Sequence, residues 1–392
     1  MIVGLVILWY GIVPAGGALV KRCRWFAFRR NFNRFRLHPV LDGKAYWRNA
    51  SEASENGGRE IFRFIGGLES VGEDRSIWVS SGGLAVPVLL GKAEAYLLPM
   101  QGDGGASGVY EPGEEAPERI RLEKVSAIAE GTRVFVGGRL SRNEGRPTFV
   151  STKETPLMVI FYGGPDHSLA SKAIWAGRHR GEYFNPVTPY SLAIGALCLL
   201  AVAGYFLSRP AFHMTAILSF AAVFVPLFPL VPPGILFTAI YRRLAWRSRI
   251  LRAYGDLAQL PLQYFAEGSR PLPNETRELP DGEPYGFVRT RELPPEVGEG
   301  KIPRLIPEAK SPGKGDRWHI FGTLRPGDAL PSRPADPSAT FGVLPGDPGN
   351  FARRSARRAY VTEAAAWLAL LAGISLNVFF LRMLVLVLIR AV

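Results

Sequence analysis

The sequence predicts a polytopic α-helical membrane protein of four spans with β-rich, small barrel- or sandwich-like soluble domains. Three observations carry that expectation. Apolar residues are bunched into runs at 1–20, 188–207, 211–241 and 364–389. Sixteen of the 47 Lys and Arg fall in three short clusters, 21–36, 242–252 and 353–358, each against such a run. Between the runs lie short β-type segments separated by Gly-rich turns.

The chain has 392 residues and a net charge of +13. Such a charge suits either membrane flanks or a nucleic-acid surface. Its clustering beside apolar runs favours the membrane, and no nucleic-acid partner is expected. Two cysteines, Cys23 and Cys198, make no disulfide framework. With five histidines they also leave no ligand set for a zinc ribbon or RING module, so no metal or cofactor is expected.

The first run, "MIVGLVILWYGIVPAGGAL", precedes its basic cluster, "VKRCRWFAFRRNFNRFR". A secretory signal has the reverse order. The positive-inside rule then retains 1–20 as an anchor with its N-terminus outside and 21–36 as a cytoplasmic juxtamembrane segment. The second span, 188–207, is free of charge and long enough for a ~30 Å hydrocarbon core. The third, 211–241, holds Pro226, Pro229, Pro232 and Pro233. Either it is one kinked helix or a hairpin of two pieces too short to cross, and the basic residues from Arg242 onward favour the kinked helix. The fourth, 364–389, follows Arg353 and Arg354, and Arg382 near its outer end snorkels to headgroups. All three clusters agree on one topology: both termini outside, and 37–185 and 242–362 cytoplasmic.

Region 37–185 reads as short strands. "REIFRFIGGLES", "SIWVSSGGLAVPVLLGKAEAYLLP", "TRVFVGGRL" and "LMVIFY" are strand candidates, "SRNEGRP" is a hairpin turn, and 101–118 is a Gly- and acid-rich loop. Region 242–362 is Pro- and Gly-rich, a composition that resists a large core. It nevertheless echoes the first region. "RVFVGGRLSRN" and "WHIFGTLRPGD" place Gly138/Leu140 and Gly322/Leu324 alike. "TFV" and "TFG" follow, then a Gly/Pro/Asp turn, a basic stretch and a span. The expectation is a duplicated unit in parallel orientation, its second copy degenerate or partly unstructured.

A β-rich domain between two spans, with "EGTRVFVGGRLSRNEGRPTFVSTKETPLMVI" ahead of the second, resembles the GIDE-type domain of the mitochondrial ubiquitin ligase activator family and its bacterial relatives. The resemblance covers about 60–207. It implies a membrane-tethered module and, with bacterial relatives, a bacterial cytoplasmic membrane. This chain has no Cys/His run after its second span, so ligase activity is not implied.

Catalytic motifs are scarce. "GDGGASG" (102–108) and "SPGKGD" (311–316) lack the context of a phosphate loop, and no G-x-S-x-G or H-E-x-x-H occurs. Asp166, His167, His179 and Glu182 in "PDHSLASKAIWAGRHRGEYF" form the one polar cluster from which a metal or acid/base site could be built. In "WFAFRRNFNRF", Trp25, Phe26, Phe28, Phe32 and Phe35 would form the apolar face of a helix lying among headgroups. The residues expected to meet anionic lipid are Arg22, Arg24, Arg29, Arg30, Arg242, Arg243, Arg353 and Arg354. The expected function is a membrane-anchored binding or assembly role, with a protein partner through the β-rich domain. The alternatives are a transporter or channel component and a membrane-bound enzyme using 165–184.

Overall fold

The computed structural model describes residues 1–391 apart from 52–59, 73–74, 92, 101–116, 121, 144, 179–184, 266–274 and 307–316. The loop at 101–116, the two phosphate-loop candidates, His179 and Glu182 therefore lie outside the described residues. The chain divides into a helical body (1–25, 180–252, 355–392) and a β-rich body (26–179, 253–354).

In the helical body, three helices are long and apolar enough to cross a membrane: Ile2–Arg36, Thr188–Leu207 and Pro348–Met383, the first and last extending beyond the body. The first contains a π-helical stretch, Ile7–Ile12. In π register the Trp9 carbonyl looks to the N–H of residue 14, and Pro14 has none. Ser191 Oγ donates to the Trp9 carbonyl instead. Asn185 Nδ2 donates to the carbonyl of Pro14 at 2.9 Å.

The segment 211–241 departs from the single kinked helix expected. The α-helix His213–Ala222 has 10 residues, half the ~20 that cross a bilayer core. A 3-10 turn follows at Val225–Leu230, and α-helix resumes at Gly234. The four prolines lack N–H donors, so upstream carbonyls lose their helical partners. Side chains replace them. Asn377 Nδ2 donates to the carbonyls of Phe228 and Val231 at 2.7 and 3.1 Å, and Thr238 Oγ1 to that of Pro229 at 3.0 Å. Irregular backbone at membrane depth needs such partners. Asn377→Leu is expected to leave the carbonyls of Phe228 and Val231 with only their long 3.3 Å bonds from the N–H groups of Val231 and Ile235, at a cost of about 1 kcal/mol. The check is the melting temperature of the full chain in lipid nanodiscs; an unchanged value would contradict the capping role.

In the β-rich body, β1 (Ile61–Val71), β2 (Ser76–Ser81), β3 (Leu84–Leu89), β4 (Glu94–Leu97), β5 (Glu118–Arg119), β6 (Arg133–Asn143), β7 (Arg146–Val150) and β8 (Met158–Tyr162) form one mixed sheet. Five of them, in the order β1-β2-β3-β7-β6, close on themselves through the β1–β6 pairing, giving a small barrel. The β8-β4-β5 ribbon extends from β6. Ile77, Val79, Val86, Val88, Val134 and Phe149 are fully buried in its core. Gly82 and Gly83, both at positive φ, make the two-residue β2–β3 hairpin.

The strand expected over 132–140 runs on to Asn143, which pairs with Arg146. Its Gly137-Gly138 pair is a place of close approach. A Cβ at Gly137 would lie 2.7 Å from Phe35 Cβ, and one at Gly138 2.5 Å from Leu157 Cδ1.

The Pro/Gly-rich region builds more structure than its composition promised. β9 (Arg277–Glu278), β10 (Pro284–Thr290), β11 (Trp318–Thr323) and β12 (Gly342–Pro345) form an antiparallel sheet in the order β12-β11-β10-β9. Val297, Ile302, Trp318, Ile320 and Val343 make its core. The β6–β8 pairs Val134↔Phe161, Phe135↔Ile160, Val136↔Val159 and Gly137↔Met158 have counterparts in β11–β12: Trp318↔Pro345, His319↔Leu344, Ile320↔Val343 and Phe321↔Gly342. One constant offset carries every pair of the first set onto the second.

Phe28, Phe32 and Phe35 correct the expected headgroup-facing helix. They share one face, three to four residues apart, and are 0%, 0% and 2% exposed. Phe28 meets Tyr96 edge-on at 4.6 Å between ring centroids, and Phe32 meets Phe135 at 5.5 Å. The apolar face is covered by protein. Trp25 is also buried, and Phe26 alone of the five stays exposed.

Candidate functional site: a cavity with one uncommitted arginine

Two carboxylates of the β-rich body are held by fixed partners. After β8 the chain turns at Gly164, φ +77°, and enters a short 3-10 turn, Asp166–Ser168, ahead of the helix Leu169–Gly177. Asp166 Oδ1 accepts from Arg133 Nε and from the Tyr162 hydroxyl, both at 2.7 Å, while Arg133 Nη2 bonds Oδ2. Burial, then the neighbouring Asp166 charge, pushes the Tyr162 phenol far above its ordinary range, so it stays a donor.

Asp336 and Arg63 form a fully buried pair, each side chain 0% exposed. Arg63 Nη1 and Nη2 reach Asp336 Oδ1 and Oδ2 at 2.7 and 2.5 Å, and Nε reaches the His38 carbonyl at 2.6 Å. Ser338 donates its N–H to Asp336 Oδ1 at 2.9 Å. Burial alone raises the Asp336 carboxyl. The bonds and charge of Arg63, with the Ser338 bonds, outweigh it, and the group titrates below its usual range. Beside the pair lies Arg36, also fully buried. It donates to Thr340 Oγ1 at 3.0 Å and to the Leu260 carbonyl and Gln263 Oε1, both at 2.9 Å. Three of these charge-assisted bonds, two from Arg63 to Asp336 and one from Arg36 to Thr340, hold the 336–340 loop against β1 and the end of the Phe-faced helix.

Asp166, Asp336, Leu260 and Thr340 border a cavity of about 320 Å³. Its walls are Asp166 and His167, the aliphatic Leu257 and Leu260, and the Pro-rich loop carrying Arg333 and Phe341. The loop is pinned by a backbone pair between Thr323 and Ser332, 2.9 Å in both directions, and by Ala335 N–H donating to Glu283 Oε2 at 2.9 Å. Arg333 is exposed, its guanidinium carbon 5.6 Å above the Phe341 ring. Among the described residues no carboxylate lies within ion-pairing distance of it. His167 titrates below its ordinary value, first through burial and then through the Arg333 charge, against an opposing pull from Asp166. At neutral pH the cavity therefore presents one cation, a neutral imidazole, two spoken-for carboxylates and an apolar wall. A second, more open cavity of about 780 Å³ mixes Lys44 and Arg48 with Asp42, Glu60 and Asp281, one more acid than base.

No family model, curated protein or solved structure matches the chain.

Of the polar cluster expected in 165–184, the structure brings Asp166 and His167 to the cavity. Among the described residues no group of three His, Cys, Asp or Glu converges as a metal site would, and Asp166 is bonded to Arg133 and Tyr162 and not to the imidazole. Of the arginines expected at anionic lipid, Arg22, Arg24, Arg30, Arg242, Arg243, Arg353 and Arg354 are exposed. Arg29 instead bonds Asp256 at 2.5 Å, and Arg178 forks onto the same carboxylate at 2.7 Å. Arg252 pairs with Glu363, with Arg22 at 3.8 Å from it. Sequence reasoning missed Arg36, Arg63, Arg333 and Asp336. The one available signal was "PSRPADPSAT", where closely spaced prolines stiffen a loop enough to hold charges in fixed places.

Proposed function

We propose that the chain is a membrane-anchored binding or assembly protein, with both segments of its β-rich body on the cytoplasmic side. The observation that carries the topology is the buried Arg63–Asp336 pair, whose members flank the membrane segment 180–252 in the chain. Two residues in one ion pair lie on one side of a bilayer, so the chain between them crosses an even number of times. Thr188–Leu207 supplies one crossing. The proline-broken 211–241 supplies the return, with Asn377 and Thr238 meeting its open carbonyls. With the first and last helices this makes four crossings. The exposed arginines of the three clusters orient them and meet anionic headgroups.

The same reading includes an internal duplication, supported by the shared register of β6–β8 and β11–β12, and retains the likeness of about 60–207 to a GIDE-type domain. Binding is preferred over catalysis because the cavity's carboxylates are tied to Arg133 and Arg63. The test is single-cysteine labelling of sealed cells in a chain with Cys23 and Cys198 replaced by serine. Ser208→Cys is expected to react with an impermeant maleimide, and Lys44→Cys and Lys301→Cys to be protected. Labelling of Lys44→Cys and Lys301→Cys, or protection of Ser208→Cys, would overturn the arrangement.

A further inference from the structure

We propose that the cavity beside Arg333 binds a small amphipathic carboxylate, its charged end on the guanidinium and its apolar body against Leu257, Leu260 and Phe341. The proposal deepens the binding reading above and rests on it. A volume of about 320 Å³ lies at the small end of ligand pockets, which are apolar with a few placed polar groups. The charges decide the sign of the ligand. Asp166 and Asp336 have both oxygens engaged by arginines and hydroxyls. Each is already neutralised by an arginine, so a second cation would gain less there. Among the described residues Arg333 has only the Phe341 ring beneath it, so its planar donors are open there to a bidentate carboxylate. A neutral His167 beside it can donate or accept a hydrogen bond without adding charge.

The ligand also needs an apolar part. An inorganic anion would leave the leucine and phenylalanine wall against water, and a neutral apolar molecule would leave Arg333 unused. The anchoring of the loop through Glu283, Ser332 and Asp336 keeps Arg333 and Phe341 in place before binding, so little ordering cost falls on the ligand.

The test uses the full chain in phosphatidylcholine nanodiscs, with phenylacetate as the probe and 2-phenylethanol as its uncharged counterpart, read by titration calorimetry. Phenylacetate is expected to bind about tenfold or more tightly than the alcohol, as a charge-assisted pair implies. Arg333→Gln is expected to remove that preference while leaving the melting temperature unchanged, since Arg333 is exposed. Arg119→Met, which removes an equal charge elsewhere on the surface, is expected to leave it intact. In the unmodified chain, phenylacetate should raise the His167 imidazole pKa, followed by NMR, because it offsets the Arg333 field while Asp166 stays paired. Equal binding of acid and alcohol, no binding of either, an unaffected Arg333→Gln variant or an unmoved His167 would each overturn the proposal. Because the cysteine labelling reads topology without any ligand, failure here is distinguishable from failure of the membrane arrangement.

Discussion

Asp336→Ala is expected to destabilise the β-rich body by about 3–5 kcal/mol, the largest loss foreseen for a single polar substitution. Removing the carboxylate strands Arg63, which is 0% exposed, with its two Nη groups short of acceptors. The Ser338 N–H loses its acceptor too. Arg63→Met in the same chain should recover part of the loss, because the buried charge goes, though the His38 carbonyl stays unmet. The measurement is a thermal melt of the full chain in nanodiscs, followed by near-ultraviolet circular dichroism. An Asp336→Ala melt matching the unmodified chain would refute the role of the pair. The same group sets a pH dependence. Its folded carboxyl titrates below its ordinary value near about 3.9. Its contribution is therefore complete above that value and is lost as pH falls through the lower, folded one. Unmodified protein should lose stability steeply below about pH 4, and Asp336→Asn should lack that part of the slope.

Phe32→Ala is expected to cost a further large amount, about 3–5 kcal/mol, the range for emptying a buried aromatic site. Phe32 is fully buried and packs on Phe135 of β6. A helix lying among headgroups would respond differently: its truncation would weaken attachment to anionic vesicles and leave the barrel's melting temperature alone. Phe26→Ala serves as the comparison, since Phe26 is 57% exposed. A lower melting temperature for Phe32→Ala with no change for Phe26→Ala is the outcome expected. The reverse pattern would return this helix to the lipid surface.

Much of the architecture was legible along the chain. The strands β1 to β4, β6 and β8 fall on runs of β-branched and aromatic residues. Such runs declare themselves locally, because alternation and turn glycines act over only a few positions. What the Gly137-Gly138 pair does inside β6 was not legible. Glycine ends strands when it turns the chain, but here it admits Phe35 and Leu157, which come from elsewhere in the sequence. The cavity was barely legible. Asp166 and His167 stood out as a polar cluster, yet Arg333 and Phe341 are far along the chain, and nothing in their spacing links the two.

The apolar runs marked, without any coordinates, three helices long and apolar enough to cross a bilayer, although the last of them begins at Pro348 and not at 364. Hydrocarbon thickness and charge placement are properties of short stretches, so the stretches suffice. Which arginines stay exposed and which face protein was decided only by the tertiary structure. Arg29 and Arg30 are adjacent in sequence, yet the first meets Asp256 and the second stays exposed. Arg36 and Arg63 are buried because acceptors more than two hundred residues away converge on them. A guanidinium leaves water only where such partners meet most of its donors, and that condition is written in three dimensions.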